Sequence, residues 1–144
     1  MNTGHVGLNV QDLDRSVEFY TRVFDLGILK KGAEGGKEFA LLSNNGRLAI
    51  TLWQQGTQEF SSIHSGLHHL AFMVPSLKEV EEAERKLRSM NTSFEYDGIV
   101  PHSSGAESGG IFFFDPDGVR LEIYTEQGVT GEAPHCDSPS CGFF

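Results

Sequence analysis

Long apolar runs are missing from this chain, and none approaches the roughly 20 residues that a membrane-spanning helix needs. Basic residues are scarce: 11 Lys and Arg stand against 20 Asp and Glu, for a formal charge of −9. A nucleic-acid backbone or an anionic membrane surface needs a basic face, so neither is an expected partner. Cysteine is confined to Cys136 and Cys141, both within the last nine residues, so disulfides do not staple the fold. The first residues carry neither the basic region nor the apolar stretch of a signal peptide. The expectation is a cytoplasmic, globular α+β protein with a small-molecule partner.

What the sequence does contain is one pattern written twice. His5-Val6-Gly7-Leu8-Asn9-Val10-Gln11-Asp12-Leu13 aligns without gaps on His69-Leu70-Ala71-Phe72-Met73-Val74-Pro75-Ser76-Leu77. Each copy opens as a strand with alternating apolar side chains and turns at a helix-start signal. Asp12 is placed to cap the first helix, and Ser76 with Glu79 forms a capping box for the second. Leu13, Val17, Tyr20 and Phe24, then Leu77, Val80, Ala83, Leu87 and Met90, recur at helical spacing. Gly27 is read as the stop of the first helix. Extended segments follow at about 28–33, 38–42 and 47–53, then at 94–100, 110–114 and 119–125. Ser43-Asn44-Asn45-Gly46 and Asp115-Pro116-Asp117-Gly118 are the turns between the last two of each set. Aligning Gly46 on Gly118 leaves extra residues in the second copy, placed in the loop 101–110.

The pattern predicts two tandem βαβββ modules, about 3–55 and 67–126, in a single domain over 1–126 with a tail from 127 to 144. Together they are expected to form a curved, cup-shaped mixed sheet with helices on the convex side. Parity sorts the side chains. With Val6, Leu8 and Val10 on the helix, His5 faces the cup; with Leu70, Phe72 and Val74 on the helix, so do His69 and Met73. Val119, Leu121 and Ile123 are the apolar set of the last strand, so Arg120, Glu122 and Tyr124 look the other way. A strand histidine alone is usually a hydrogen-bonded core residue. Two at repeat-equivalent positions, joined by a carboxylate on an otherwise apolar strand, point instead to a metal, since an unpaired buried carboxylate is costly. Two imidazoles and one carboxylate suit Fe, Mn, Co, Ni or Zn and leave open positions for a ligand.

The paired modules and the string Phe114-Asp115-Pro116-Asp117-Gly118-Val119-Arg120-Leu121-Glu122-Ile123-Tyr124 resemble the vicinal oxygen chelate superfamily, which holds glyoxalases, bleomycin-resistance proteins and extradiol dioxygenases. The resemblance covers residues 3–126 and implies a divalent metal, Fe(II) first, on His5, His69 and Glu122. It implies a small metalloenzyme that chelates an oxygenated small molecule. Dioxygenase-like chemistry is the leading reading; a lyase, isomerase or thiol transferase, or a metal-free binding protein, is the alternative. The internal alignment sets Ile50 opposite Glu122, where glyoxalase I has a fourth ligand, and isoleucine cannot bind a metal. Leu48, Ile50, Leu52 and Met73 then make an apolar wall, with Arg120 and Tyr124 as further substrate contacts. Val100-Pro101-His102 matches the opening of the extradiol motif, making His102 a candidate acid or base, although Phe112 stands where that motif has Tyr. The linker near 54–66, the module edges and the aromatic pair Phe143-Phe144 favour a homodimer. His135, Cys136 and Cys141 lack a good zinc spacing.

Overall fold

A computed structural model describes residues 1–134; the tail residues His135, Cys136, Cys141, Phe143 and Phe144 lie outside it. Two compact units are present, one of residues 1–61 with 115–118, the other of 62–114 with the chain from 119 onward. No helix among the described residues is long and apolar enough to cross a membrane.

Unit 1 carries β1 (Val6–Val10), α1 (Leu13–Phe24), β2 (Gly27–Glu34), β3 (Lys37–Asn44) and β4 (Arg47–Gln54). Its sheet runs in the order β1-β4-β3-β2, with β1 and β4 parallel and the rest antiparallel. The Asp12 carboxylate caps α1, accepting from Arg15 N at 2.9 Å, which satisfies one of the helix's orphan donors. Leu13, Val17, Tyr20 and Val23 are buried along one stripe of the helix, opposite Leu8, Val10, Ile50 and Leu52. The helix stops at Phe24, with Asp25 in the left-handed region at φ 53; Gly27 instead begins β2. Asn45 and Gly46, both at positive φ, form the two-residue hairpin that such residues favour.

The Asp115–Gly118 turn belongs to unit 1, and its two buried carboxylates explain why. Asp115 accepts from Tyr20 Oη at 2.8 Å. Burial and this neighbouring carboxylate push the Tyr20 hydroxyl well above its usual range. Asp117 accepts from Gln11 N at 3.2 Å and Gln11 Nε2 at 3.0 Å, and it pairs with Arg15. A carboxylate this buried is tolerable only with several donors on it. The turn therefore locks the first strand–helix junction in place.

Unit 2 carries β5 (Leu70–Met73), α2 (Leu77–Ser89), β6 (Val100–Pro101), β7 (Gly109–Phe114) and β8 (Arg120–Thr125), with sheet order β5-β8-β7-β6. Val80 and Leu87 of α2 are fully buried on the face that also holds Ile111, Phe113, Leu121 and Ile123. Two expectations are corrected here. The Ser76 hydroxyl donates to the Glu79 carboxylate at 2.8 Å and accepts no helix N–H, so the capping box does not form. The segment 94–100 is not a continuous strand: Phe94 makes an isolated bridge to Phe113 of β7, Gly98 turns at φ 87, and the ladder with β7 resumes only at Val100–Pro101. Gly109 and Gly110 permit that pairing. A Cβ on Gly110 would collide with the Ile123 carbonyl and lie 2.7 Å from Tyr124 Cα, and one on Gly109 would lie 2.7 Å from Pro101 Cα.

Candidate metal and substrate site

Register within unit 2 decides what shares the face opposite α2. Glu122 is paired with Phe112 on one side and Ala71 on the other; Tyr124 is paired with Gly110 and Met73, and Arg120 with Phe114. Paired positions point to the same face of a sheet. Glu122 is thus an acidic side chain on the polar side of an apolar strand, and it is only 4% exposed.

Two histidines meet its two oxygens. His102 follows β6 and reaches across to place Nε2 2.6 Å from Glu122 Oε1, while its Nδ1 lies 3.1 Å from Ser108 Oγ. A neutral imidazole that donates from Nε2 to the acceptor-only carboxylate accepts at Nδ1 from the serine hydroxyl, so Glu122 sets the tautomer and Ser108 completes the ring's hydrogen bonding. The ring is flanked by Tyr124 at 5.3 Å and Phe112 at 6.3 Å between centroids, and Tyr96 packs edge-on against Phe112 at 5.6 Å. His69, just before β5, places Nε2 3.9 Å from Glu122 Oε2. Its Nδ1 lies 2.8 Å from Nδ1 of His68; when His69 donates there, its Nε2 lone pair faces the carboxylate.

Burial raises the Glu122 carboxyl, opposed by the hydrogen bond and charge of His102. Burial first, then the electrostatic influence of His68 and Arg120, lower His69 below its usual 6.5. A His held low folds best uncharged: its contribution to stability is complete above the unfolded value and is lost as pH falls through the folded one. Metal-free protein should accordingly lose stability below about pH 6.5. Urea midpoints at pH 5.5 and 7.5 should differ less in His69→Gln than in the parent; an equal difference would remove His69 as the source.

The residues fit a metal in part. Two donors on a shared ion at about 2.1 Å each lie no more than about 4.2 Å apart, and the 3.9 Å between His69 Nε2 and Glu122 Oε2 meets that limit. It is too long for a hydrogen bond. His102 Nε2, engaged as a donor to Oε1, supports the carboxylate from outside, as second ligand shells do. Among the described residues, no group of three or more His, Cys, Asp or Glu comes together to hold a metal. His5, the remaining expected donor, lies in unit 1 immediately before β1 and is exposed.

The apolar wall must be corrected. Ile50 pairs in register with Val6, and Leu52 with Leu8; they are 1% and 0% exposed on the core face beneath α1. Leu48, half-buried, lies beyond a bulge in β4 and pairs with Ser43. The residues of β4 on the opposite face are Thr51 and Trp53, paired with Gly7 and Asn9. Met73 is 61% exposed, and it shares the Glu122 face with Arg120 and Tyr124. Ser108 and Tyr96 were missed by the sequence reading; the one sequence signal was Phe112, whose parity on β7 matches Glu122. A separate recess of about 620 Å³ in unit 1, bordered by Asp12, Lys31, Glu38 and Gln54, contains none of the expected site residues.

Comparison with known proteins bears on the fold. The sequence profile of the Glyoxalase/Bleomycin resistance protein/Dioxygenase superfamily matches residues 2–123. Catechol-2,3-dioxygenase of Bacillus subtilis is 27% identical over 130 residues, 86% of this chain; the chain spans only 41% of that relative's length. A trivalent organoarsenical cleaving enzyme of a Bacillus species is 30% identical over 142 residues, covering 98% of this chain and 83% of the relative. A glyoxylase/bleomycin resistance protein/dioxygenase domain from a Frankia species superposes with a TM-score of 0.76 at 28% identity, covering 88% of this chain and 98% of that one.

Proposed function

Because the chain belongs to the glyoxalase/bleomycin resistance protein/dioxygenase superfamily, we propose that it is a small metalloenzyme acting on an oxygenated small molecule with dioxygenase-like chemistry. The observation that carries this reading is the buried Glu122 carboxylate, with Oε1 held by His102 and Oε2 turned toward His69. The third donor in this reading is His5. A divalent ion on these residues, Fe(II) first and Mn, Ni, Co or Zn otherwise, supplies Lewis-acid stabilisation of adjacent substrate oxygens.

The chain's own side chains do the rest. His102 fixes the rotamer of Glu122, and Ser108 fixes His102. Phe112, Tyr96 and Tyr124 present ring faces to an aromatic substrate and exclude water. The relative named catechol-2,3-dioxygenase supports an aromatic dioxygenated substrate. Assembly as a homodimer belongs to the same reading.

A lyase is the second reading, favoured by the relative named for organoarsenical cleavage. The aromatic side chains around Glu122, namely Phe112, Tyr96 and Tyr124, favour the aromatic reading over it. The deciding experiment is elemental analysis of the purified full chain, followed by anaerobic Fe(II) titration and then catechol with oxygen uptake recorded. Stoichiometric metal and oxygen consumption are expected. Metal content that no added ion restores would leave a binding protein instead.

A further inference from the structure

On the face that carries Glu122 stands one positive charge that the metal reading does not use. Arg120 lies two residues before Glu122 on β8, on the same side and paired with Phe114. It is half-buried, yet among the described residues its guanidinium makes no ion pair or side-chain hydrogen bond. Glu95 borders the same small recess without coming within ion-pair distance. The register position of Arg120 puts it on the sheet face of Glu122 and Tyr124, beside the recess bordered by Phe112 and Phe114.

A half-buried guanidinium loses hydration that only an anion replaces well. This chain carries −9 overall, so a small anion is repelled by most of its surface and needs a local cation to be held. Two residues along a strand span roughly 6.6 Å, about the width of one substituted ring.

We propose that Arg120 is the anion-binding residue of the site, receiving the carboxylate or a similar oxyanion of an aromatic substrate whose vicinal oxygens lie at Glu122. This rests on the reading of His69 and Glu122 as metal ligands and adds the substrate class: an aromatic acid rather than a neutral ring. A planar fork such as guanidinium binds such a group bidentately.

The test uses the full chain loaded anaerobically with Fe(II), with metal uptake measured first by competition with a chelator. Catechol and 3,4-dihydroxybenzoate, which differ only in the acid group, are then titrated by calorimetry. The acid should bind about tenfold more tightly than catechol, as one charge-assisted contact implies. Arg120→Met should erase that preference while leaving metal affinity and catechol binding within about twofold. Arg120→Lys should restore part of it, and the preference should shrink with added salt. Equal affinity in the parent, binding of neither probe, or a preference that survives in Arg120→Met would overturn the proposal. Absence of metal uptake would instead overturn the metal site itself.

Discussion

Glu122→Gln is expected to lower metal affinity by more than about 100-fold, since loss of outer-shell support alone commonly costs 10- to 100-fold and this change removes a ligand charge. The same substitution should leave the metal-free protein as stable as the parent near pH 7.5, or more so. The reason is that burial raises the Glu122 carboxyl, so the ionised form is disfavoured in the fold. Stability tied to that group is complete below the unfolded value, about 4.3, and is lost as pH rises through the folded one. Glutamine retains an oxygen that accepts from His102 but has no charge to bury. The two effects run in opposite directions, which separates a metal ligand from a structural carboxylate. Chelator competition and thermal unfolding of the same preparations measure both. Unchanged metal affinity, or a marked fall in metal-free stability at pH 7.5, would assign Glu122 to the scaffold. His102→Gln should fall between parent and Glu122→Gln in metal affinity, because it removes the bond to Oε1 and leaves the ligand.

Legibility of the fold followed the range of the forces. Strand alternation and helix spacing are local, and they place β1, α1, β5, α2 and β8 within a residue or two of where they form. The Asp12 cap is local too, spanning three residues. Capping at Ser76 failed because the same two side chains satisfy each other directly, an option that spacing cannot distinguish from the box. The interactions that position the site are long-range. Asp117 reaches Gln11 across 106 positions, and His102 reaches Glu122 across 20. Only the family resemblance of Val100-Pro101-His102 separates His102 from other loop histidines, and nothing in the local pattern marks Ser108 as its partner.

The misplacement of Ile50 has a specific cause. The sequence reading pinned the two hairpins on Gly46 and Gly118. In the first, two residues separate Asn44 from Arg47, which pair with each other. In the second, Phe114 pairs with Arg120 across a five-residue turn, Asp115–Val119. Strand β4 also carries one extra residue in a bulge between Leu48 and Ile50, and β8 has none, so counting from the glycines falls one residue short on β4, and such a slip reverses every side chain beyond the bulge. Through their pairing with Gly7 and Ala71, Thr51 is the residue that corresponds to Glu122.

Ile50→Glu is consequently expected to unfold the protein rather than to furnish a fourth metal ligand. Ile50 is 1% exposed, between Val6 on β1 and Leu42 on β3, on the face covered by α1. A carboxylate there either ionises without a partner or protonates at a cost, and it also removes apolar contacts. The loss should be several kcal/mol, a large share of the roughly 5–15 kcal/mol that holds a domain of this size. Ala49→Glu puts the same charge one residue earlier, at the half-buried and unpaired bulge position of β4, and should cost far less. Urea denaturation of both variants settles the order. If Ala49→Glu proved the more damaging, or if Ile50→Glu stayed folded and bound metal more tightly, the observed register of β4 would be wrong by one residue and Ile50 would face the site after all.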